Sequence, residues 1–204
     1  MKQLVSFMTR VRIRFLWLLL AVVVPVALSL AAAIVGLVTG GEQTIGRDLP
    51  LALALAYFLV QVVTHLLTEE PGWRGFALPR LQERYGPLRA SLILGLLWGC
   101  WHLPLFLIPG RPQESMPFVG MVISVVAATV LITWLQNNAE SGFPAVLFHA
   151  AMNAGFAAFG TLTNGPRLFW ICTAVWVVAA VAVALATGLR KRGAPPHAME
   201  RAAG

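Results

Sequence analysis

Long apolar runs, each close to the length of a membrane-spanning helix, are the feature that most constrains how this chain folds. A helix needs about 20 apolar residues to cross the hydrocarbon core of a bilayer, and in lipid it satisfies its own backbone hydrogen bonds. Only 11% of the residues are charged, which excludes an ordinary soluble domain with about 25% charged residues. We therefore predict an all-α polytopic transmembrane helical bundle of about six spans, at roughly residues 15–38, 51–69, 89–108, 116–136, 142–160 and 168–189.

Basic residues are distributed unevenly between the segments that separate these runs. An excess of Lys and Arg is typical of cytoplasmic segments, so we expect a multi-pass protein of the cell membrane with both termini cytoplasmic. The net charge of +7 is spread along the chain rather than collected in one patch, and we expect no nucleic-acid partner. The cytoplasmic set is Lys2, Arg10, Arg12, Arg14, Arg74, Arg80, Arg84, Arg89, Arg190, Lys191, Arg192 and Arg201, against Arg47, Arg111 and Arg167 outside.

The predicted domain organisation is a single membrane-embedded helical domain, residues 1–189, followed by a disordered cytoplasmic tail, residues 190–204. The tail is polar and rich in Pro, Ala and Gly, a composition that does not support a packed core. The first apolar run is longer than the 7–15 residues of a signal peptide's apolar region, so we expect it to be retained as a span. Cys100 and Cys172 both lie inside apolar runs and are predicted to be buried thiols rather than a disulfide.

Few ionisable side chains fall inside the predicted spans, and they are candidates for function. A charged side chain at the centre of a bilayer costs at least about 2.5–3.5 kcal/mol, and such residues usually face a protein interior or a cavity. Three pairs at i,i+4 spacing share a helix face: His65 with Glu69, Glu70 with Arg74, and His149 with Asn153. His102 lies between the second pair and the third in the sequence.

Helical geometry predicts that these side chains lie at similar depth. Glu69 and His102 are nearly equidistant in sequence from Gly86, where Pro87 indicates a turn, and at 1.5 Å per residue each lies about 25 Å from it. We expect Pro71 to kink the first arm. His149 is close to the start of its own span, so the residues are predicted to meet in the cytoplasmic half of the bilayer.

A carboxylate and a histidine that face each other can activate a water molecule, since one accepts a proton while the other orients the water. A second histidine with an asparagine can donate hydrogen bonds to a developing oxyanion. The set therefore predicts a hydrolase that uses no nucleophilic side chain.

Three ordered motifs carry a resemblance to a known family. Glu69-Glu70-xxx-Arg74, Trp98-xxx-His102 and His149-xxx-Asn153 resemble the EExxxR, FxxxH and HxxxN motifs of the CPBP family of intramembrane glutamic endopeptidases. This family includes type II CAAX prenyl proteases and the bacteriocin-processing or immunity proteins called Abi. The resemblance covers about residues 60–160. Trp98 departs from the usual Phe, and we expect this to change packing more than chemistry.

The resemblance implies roles for individual residues. Glu69 and His102 would activate the water, while His149 and Asn153 would form the oxyanion hole. Glu70 and Arg74 would support the site as a charged pair. Because the family is generally considered independent of metal, the resemblance implies no cofactor. The implied partner is a peptide or membrane-protein segment within the lipid bilayer; neither prenylation of that substrate nor the oligomeric state follows from the sequence.

Two other functions remain open from the residues alone. A zinc-dependent membrane protease would use three or so ligands, drawn from His65, Glu69, His102 and His149, although no HExxH motif is present. A non-catalytic membrane scaffold or bacteriocin-immunity protein would use the ionisable cluster only for binding. His65 lies outside the three motifs, and we expect it to have a structural role.

Overall fold

The computed structural model describes residues 2–41, 50–161 and 163–189. The predicted tail, residues 190–204, lies outside the described residues. Within the described ranges the chain is helical and has no strand, which confirms the predicted all-α class. The helices are α1 (Lys2–Met8), α2 (Phe15–Val38), α3 (Leu51–Leu67), a π-helical segment (Pro71–Ala77), α4 (Leu78–Trp101), two short 3-10 turns (Leu103–Leu107 and Pro112–Ser115), α5 (Phe118–Ala139), α6 (Phe143–Ala158) and α7 (Gly165–Thr187).

Each predicted span corresponds to one of the helices α2 to α7. In the described part of the chain, four stretches are long and apolar enough to cross a membrane, namely α2, residues 71–107 with α4 at their centre, α5 and α7. The helices α3 and α6 are apolar but shorter, with 17 and 16 residues. Cys100 and Cys172 are free thiols, as predicted, but only Cys172 is buried; the predicted burial of Cys100 is wrong, because its side chain is exposed on α4.

Helix α5 forms the centre of the bundle. It packs against α4 and α7, while α6 packs against α2 and α3 and completes the core beside α5. Of the most apolar 18 residues of α5, 61% are buried inside the protein, compared with 28–33% in the other three long stretches. The outer helices therefore present much of their apolar surface to lipid, which is as apolar as they are.

Two interruptions of regular helical geometry, at Pro71 and at Gly86, bend the chain near the candidate site residues. Pro71 opens the π-helical segment immediately after α3 and Glu70, as the predicted kink requires. Gly86 has φ 73° and ψ 169°, a backbone conformation that favours glycine, and with Pro87 it divides α4 into two arms. The second arm runs antiparallel to α5, as the hydrogen bond from Ser91 Oγ to Thr133 Oγ1 at 2.8 Å illustrates.

Two glycines allow α4 and α5 to approach closely. A Cβ atom on Gly95 would lie 2.6 Å from the Cα of Val126, and one on Gly99 would lie 3.0 Å from the Cα of Val122. Small residues four apart are a frequent means of close helix packing in membranes. Because Trp98 and His102 follow on the same arm, this crossing fixes their height and rotation against α5.

Substitution of Gly95 by Ala should lower the thermal stability of the detergent-solubilised protein. The added methyl group meets backbone rather than a flexible side chain, and overpacking of this kind costs about 1–3 kcal/mol. Thermal unfolding followed by circular dichroism measures the effect. Gly72→Ala is the matched control, because a Cβ at Gly72 meets nothing within 4 Å; equal melting temperatures for the two variants would contradict the close crossing.

Candidate active site

The π-helical segment places two glutamates and an arginine at the centre of the bundle. Helix α3 ends at Leu67, and Pro71 begins the wider turn directly after Glu69 and Glu70. Proline has no backbone N–H and is tolerated at a first helical position. This turn directs Glu70 and Arg74 into the interior, where both are fully buried, while Glu69 remains partly exposed.

Glu70 accepts two charge-assisted contacts. Arg74 Nη1 lies 3.2 Å from Glu70 Oε1, and His149 Nδ1 lies 2.9 Å from the same oxygen. The Arg74 guanidinium also lies 4.0 Å from the centre of the Trp98 ring. The ion pair predicted from the i,i+4 spacing is therefore present, and it joins the π-helical segment to α6.

Trp98 contacts both residues that were predicted to activate water. Its indole N–H donates to Glu69 Oε2 at 2.7 Å, and its backbone carbonyl accepts from His102 Nδ1 at 2.7 Å. A carbonyl can only accept, so the neutral His102 ring carries its proton on Nδ1 and leaves Nε2 as an acceptor. Phe could not make the bond to Glu69. Trp in place of Phe therefore adds a hydrogen bond to the site besides the change in packing that the sequence predicted.

His65, for which the sequence favoured a structural role over a zinc ligand, contacts three of the predicted site residues. Asn153 Nδ2 donates to His65 Nε2 at 3.0 Å, and the rings of His65 and His149 stack with centroids 3.5 Å apart. The His65 proton then lies on Nδ1, 3.9 Å from Glu69 Oε1. The i,i+4 spacing to Glu69 was the one sequence signal for this role.

All four residues predicted as catalytic line one cavity of about 390 Å³. Glu69 follows α3, His102 caps the end of α4, and His149 and Asn153 both lie on α6, so the structure brings three separate parts of the chain together. Glu70 and Arg74 do not line the cavity; they are buried beneath it. The remaining walls include Tyr57, Gln61, Leu105, Arg111, Gln113 and Met116.

Three side chains in the same region lie close enough together to be candidates for holding a metal ion. His65, Glu69 and His149 each offer one ligand atom, and these atoms lie within 4.8 Å of one another. His102, the fourth zinc candidate from the sequence, is outside this group. The contact between His149 Nδ1 and the Glu70 carboxylate matches the second hydrogen bond that metal-binding histidines usually make.

We predict an energetic coupling between Trp98 and Glu69. We compare the free energies of unfolding of the wild type, Trp98→Phe, Glu69→Ala and the double variant in a double-mutant cycle. The coupling free energy between the two residues should reach about 1.5–3 kcal/mol, the usual range for a hydrogen bond to a charged group. Chemical denaturation in detergent measures each corner. Trp98→Phe combined with Glu83→Ala is the control pair, since Glu83 lies outside the cavity. If the changes in unfolding free energy caused by Trp98→Phe and Glu69→Ala add to within about 0.5 kcal/mol, the hydrogen bond is contradicted.

Comparison with known proteins agrees with this geometry. A segment 34% identical over 92 residues occurs in a protein named CAAX prenyl protease 2 from Methanococcus maripaludis, covering 42% of this chain and 34% of that relative. The match thus spans about a third of the relative's length. Residues 50–155, just over half of the 204 residues, match the family of type II CAAX prenyl endopeptidases described as Rce1-like. The chain therefore belongs to the Rce1-like family of type II CAAX prenyl endopeptidases, within the CPBP group of membrane proteases.

Proposed function

We propose that this protein is an intramembrane endopeptidase, similar to CAAX proteases, that hydrolyses a peptide bond with an activated water molecule and no metal cofactor. The observation that carries the proposal is the common cavity lined by Glu69, His102, His149 and Asn153. Family membership supports the reaction class. Because the similar segment covers only 34% of the archaeal relative, we propose a peptide or membrane-protein substrate without requiring a prenyl group.

Glu69 is the general base of the proposed reaction. Trp98 occupies Oε2, which leaves Oε1 to accept a proton from water. Nε2 of neutral His102 accepts the second hydrogen of that water and orients it. The water oxygen then attacks the carbonyl carbon of the peptide while its proton passes to Glu69.

Asn153 and His149 stabilise the oxyanion in this proposal. One N–H of the Asn153 amide is bonded to His65, so the second N–H is available to the oxyanion. His149 Nδ1 faces Glu70, and its other ring nitrogen, Nε2, donates to the oxyanion only when it carries a proton. Such preorganised donors are usually the largest electrostatic contribution to acyl transfer.

The reaction closes when Glu69 returns the proton to the departing nitrogen. The carbon–nitrogen bond breaks, and one water yields a carboxylic acid and an amine with Glu69 restored.

We further propose that residues 1–189 form one domain in the cell membrane, with both termini and the tail of residues 190–204 in the cytoplasm.

Replacing Glu69 by Gln should abolish peptide cleavage while leaving the fold intact, because the amide keeps an acceptor for Trp98 but takes no proton. The measurement is quantitative proteomics of peptide termini in membranes from cells that carry wild-type or Glu69→Gln protein. New termini should appear only with the wild type.

Glu83→Gln is the matched control, since it removes an exposed glutamate of α4 outside the cavity and should cleave like the wild type. Identical sets of termini in wild-type and Glu69→Gln cells would overturn the peptidase proposal. If Glu69→Gln also preserved a biological phenotype of the wild type, that result would favour the scaffold or immunity function.

A zinc-dependent protease is the second candidate, favoured by the grouping of His65, Glu69 and His149. These three residues would hold the ion, with Glu70 orienting His149 through Nδ1. Zinc in such a site would supply Lewis acidity and lower the pKa of a bound water.

The two candidates differ in their response to metal removal. We expect purified protein to contain no stoichiometric zinc by inductively coupled plasma mass spectrometry, and its cleavage to persist in 1,10-phenanthroline. Near-stoichiometric zinc that is lost in His65→Ala, together with inhibition by the chelator, would instead establish the metal mechanism. Cys100→Ala is the control for zinc bound by an exposed thiol.

A further inference from the structure

A second cavity, of about 370 Å³, lies between α1, α4 and α5, and none of the described residues that line it also lines the candidate active site. Its walls carry two exposed carboxylates, Glu83 of α4 and Glu140 at the end of α5. Within the described ranges neither carboxylate forms an ion pair. The other lining residues are Phe7, Pro79, Gln82, Gln136 and Asn137. We call this space the acidic cavity.

Gln136 adds a buried hydrogen-bond acceptor to the acidic cavity. The residue is 4% exposed, and its side-chain oxygen has no hydrogen-bond partner among the described residues. Its amide nitrogen donates to the backbone carbonyl of Arg74 at 3.0 Å, so the oxygen is the end of the side chain that remains unused. A buried acceptor without a donor is destabilising. The described walls therefore lack both positive charge and a hydrogen-bond donor.

The basic residues of the neighbouring helices do not supply that charge. No basic residue of the described ranges lines the acidic cavity. Arg10 donates to the backbone carbonyl of Glu140 at 3.3 Å rather than to its carboxylate. Arg80 and Arg84, on the same helix as Glu83, each place the guanidinium over an aromatic ring, at 3.8 and 5.2 Å from the ring centre.

The end of α7 is attached to the wall of the acidic cavity. Asn137 Nδ2 donates to the backbone carbonyl of Leu189 at 3.0 Å and to Gln82 Oε1 at 2.7 Å, and Leu189 is itself buried. Consecutive Cα atoms are 3.8 Å apart, so the next three residues lie within about 11 Å of the Leu189 Cα in any conformation. These three residues, the basic segment, are Arg190, Lys191 and Arg192.

We propose that the acidic cavity is the docking site of the basic segment. Guanidinium and ammonium groups carry the positive charge and the N–H donors that Glu83, Glu140 and Gln136 lack. Individual ion pairs at a surface are weak, but a short covalent connection to Leu189 gives the basic segment a high effective concentration at the cavity. Docking fastens the end of α7 to α4 and α5. Through Gln136 it also adjoins the backbone of Arg74, while the docking itself does not depend on the proposed peptidase function.

Electron paramagnetic resonance of a nitroxide spin label tests this docking. The label is attached to Gly193→Cys in a Cys100→Ala, Cys172→Ala background, so that the basic segment keeps its three charges. The full chain is placed in nanodiscs of phosphatidylcholine, which has no net charge. We expect an immobilised component in the spectrum at low ionic strength. That component should be lost in the Glu83→Gln, Glu140→Gln variant and in high salt, which screens exposed charges.

Glu114→Gln is the matched control, because it removes a glutamate that lies outside the acidic cavity and should leave the immobilised component unchanged. Circular dichroism and size-exclusion chromatography confirm that each variant is folded. A spectrum that is mobile in every sample overturns the proposal, as does an immobilised component that survives Glu83→Gln, Glu140→Gln or is lost equally in Glu114→Gln.

Anionic lipid is the competing partner of a basic segment beside a membrane. Immobilisation that appears only when phosphatidylglycerol is added to the nanodiscs overturns the proposal, because the basic segment then binds lipid headgroups instead of the acidic cavity. A failure of the proposed peptidase function is distinguishable, since it appears as unchanged peptide termini in Glu69→Gln cells and leaves the spin-label spectra unaffected.

Discussion

A glutamate with no exposure to water can lie within this apolar bundle because two partners bind the same carboxylate oxygen. Arg74 pairs with Glu70 within the π-helical segment, and His149 reaches it from α6. A buried charge without a partner is strongly destabilising, and removal of one member of such a pair typically costs about 3–5 kcal/mol. The contact between Glu70 and His149 therefore requires α6 and the π-helical segment to remain in register. Because Glu69 immediately precedes Glu70, the same constraint determines where the proposed base lies.

Trp98 extends this constraint to α4. Its ring packs under the Arg74 guanidinium and edge-on against His149, while its N–H and its carbonyl hold Glu69 and His102. One buried side chain thus links the charged pair to both groups that contact the proposed water. Hydrogen bonds in such surroundings are stronger than in water, so rotation of α4 by even part of a turn would separate Glu69 from His102.

The segment shared with the Rce1-like family, residues 50–155, contains α3, the π-helical segment, α4, α5 and nearly all of α6. Every residue of the proposed catalytic set falls within it. Helices α2 and α7 lie outside this segment and pack on α6 and α5. Their part in the site is to exclude lipid and water from the helices that carry it, which explains how a small chain can surround buried charge.

The sequence by itself determined the helical class, the approximate bounds of α2 to α7, the interruptions at Pro71 and Gly86, and the pairing of Glu70 with Arg74. These properties depend on local composition and on the 3.6-residue repeat of the α-helix, and both can be read from residues that are close together in the sequence. Only the tertiary structure decided that Trp98 bonds Glu69, that His65 stacks on His149, and that Arg74 is buried outside the cavity that Glu69 lines. Those contacts depend on helix rotation and on the close crossing at Gly95. Both arise from packing between segments far apart in the chain, which no local pattern encodes.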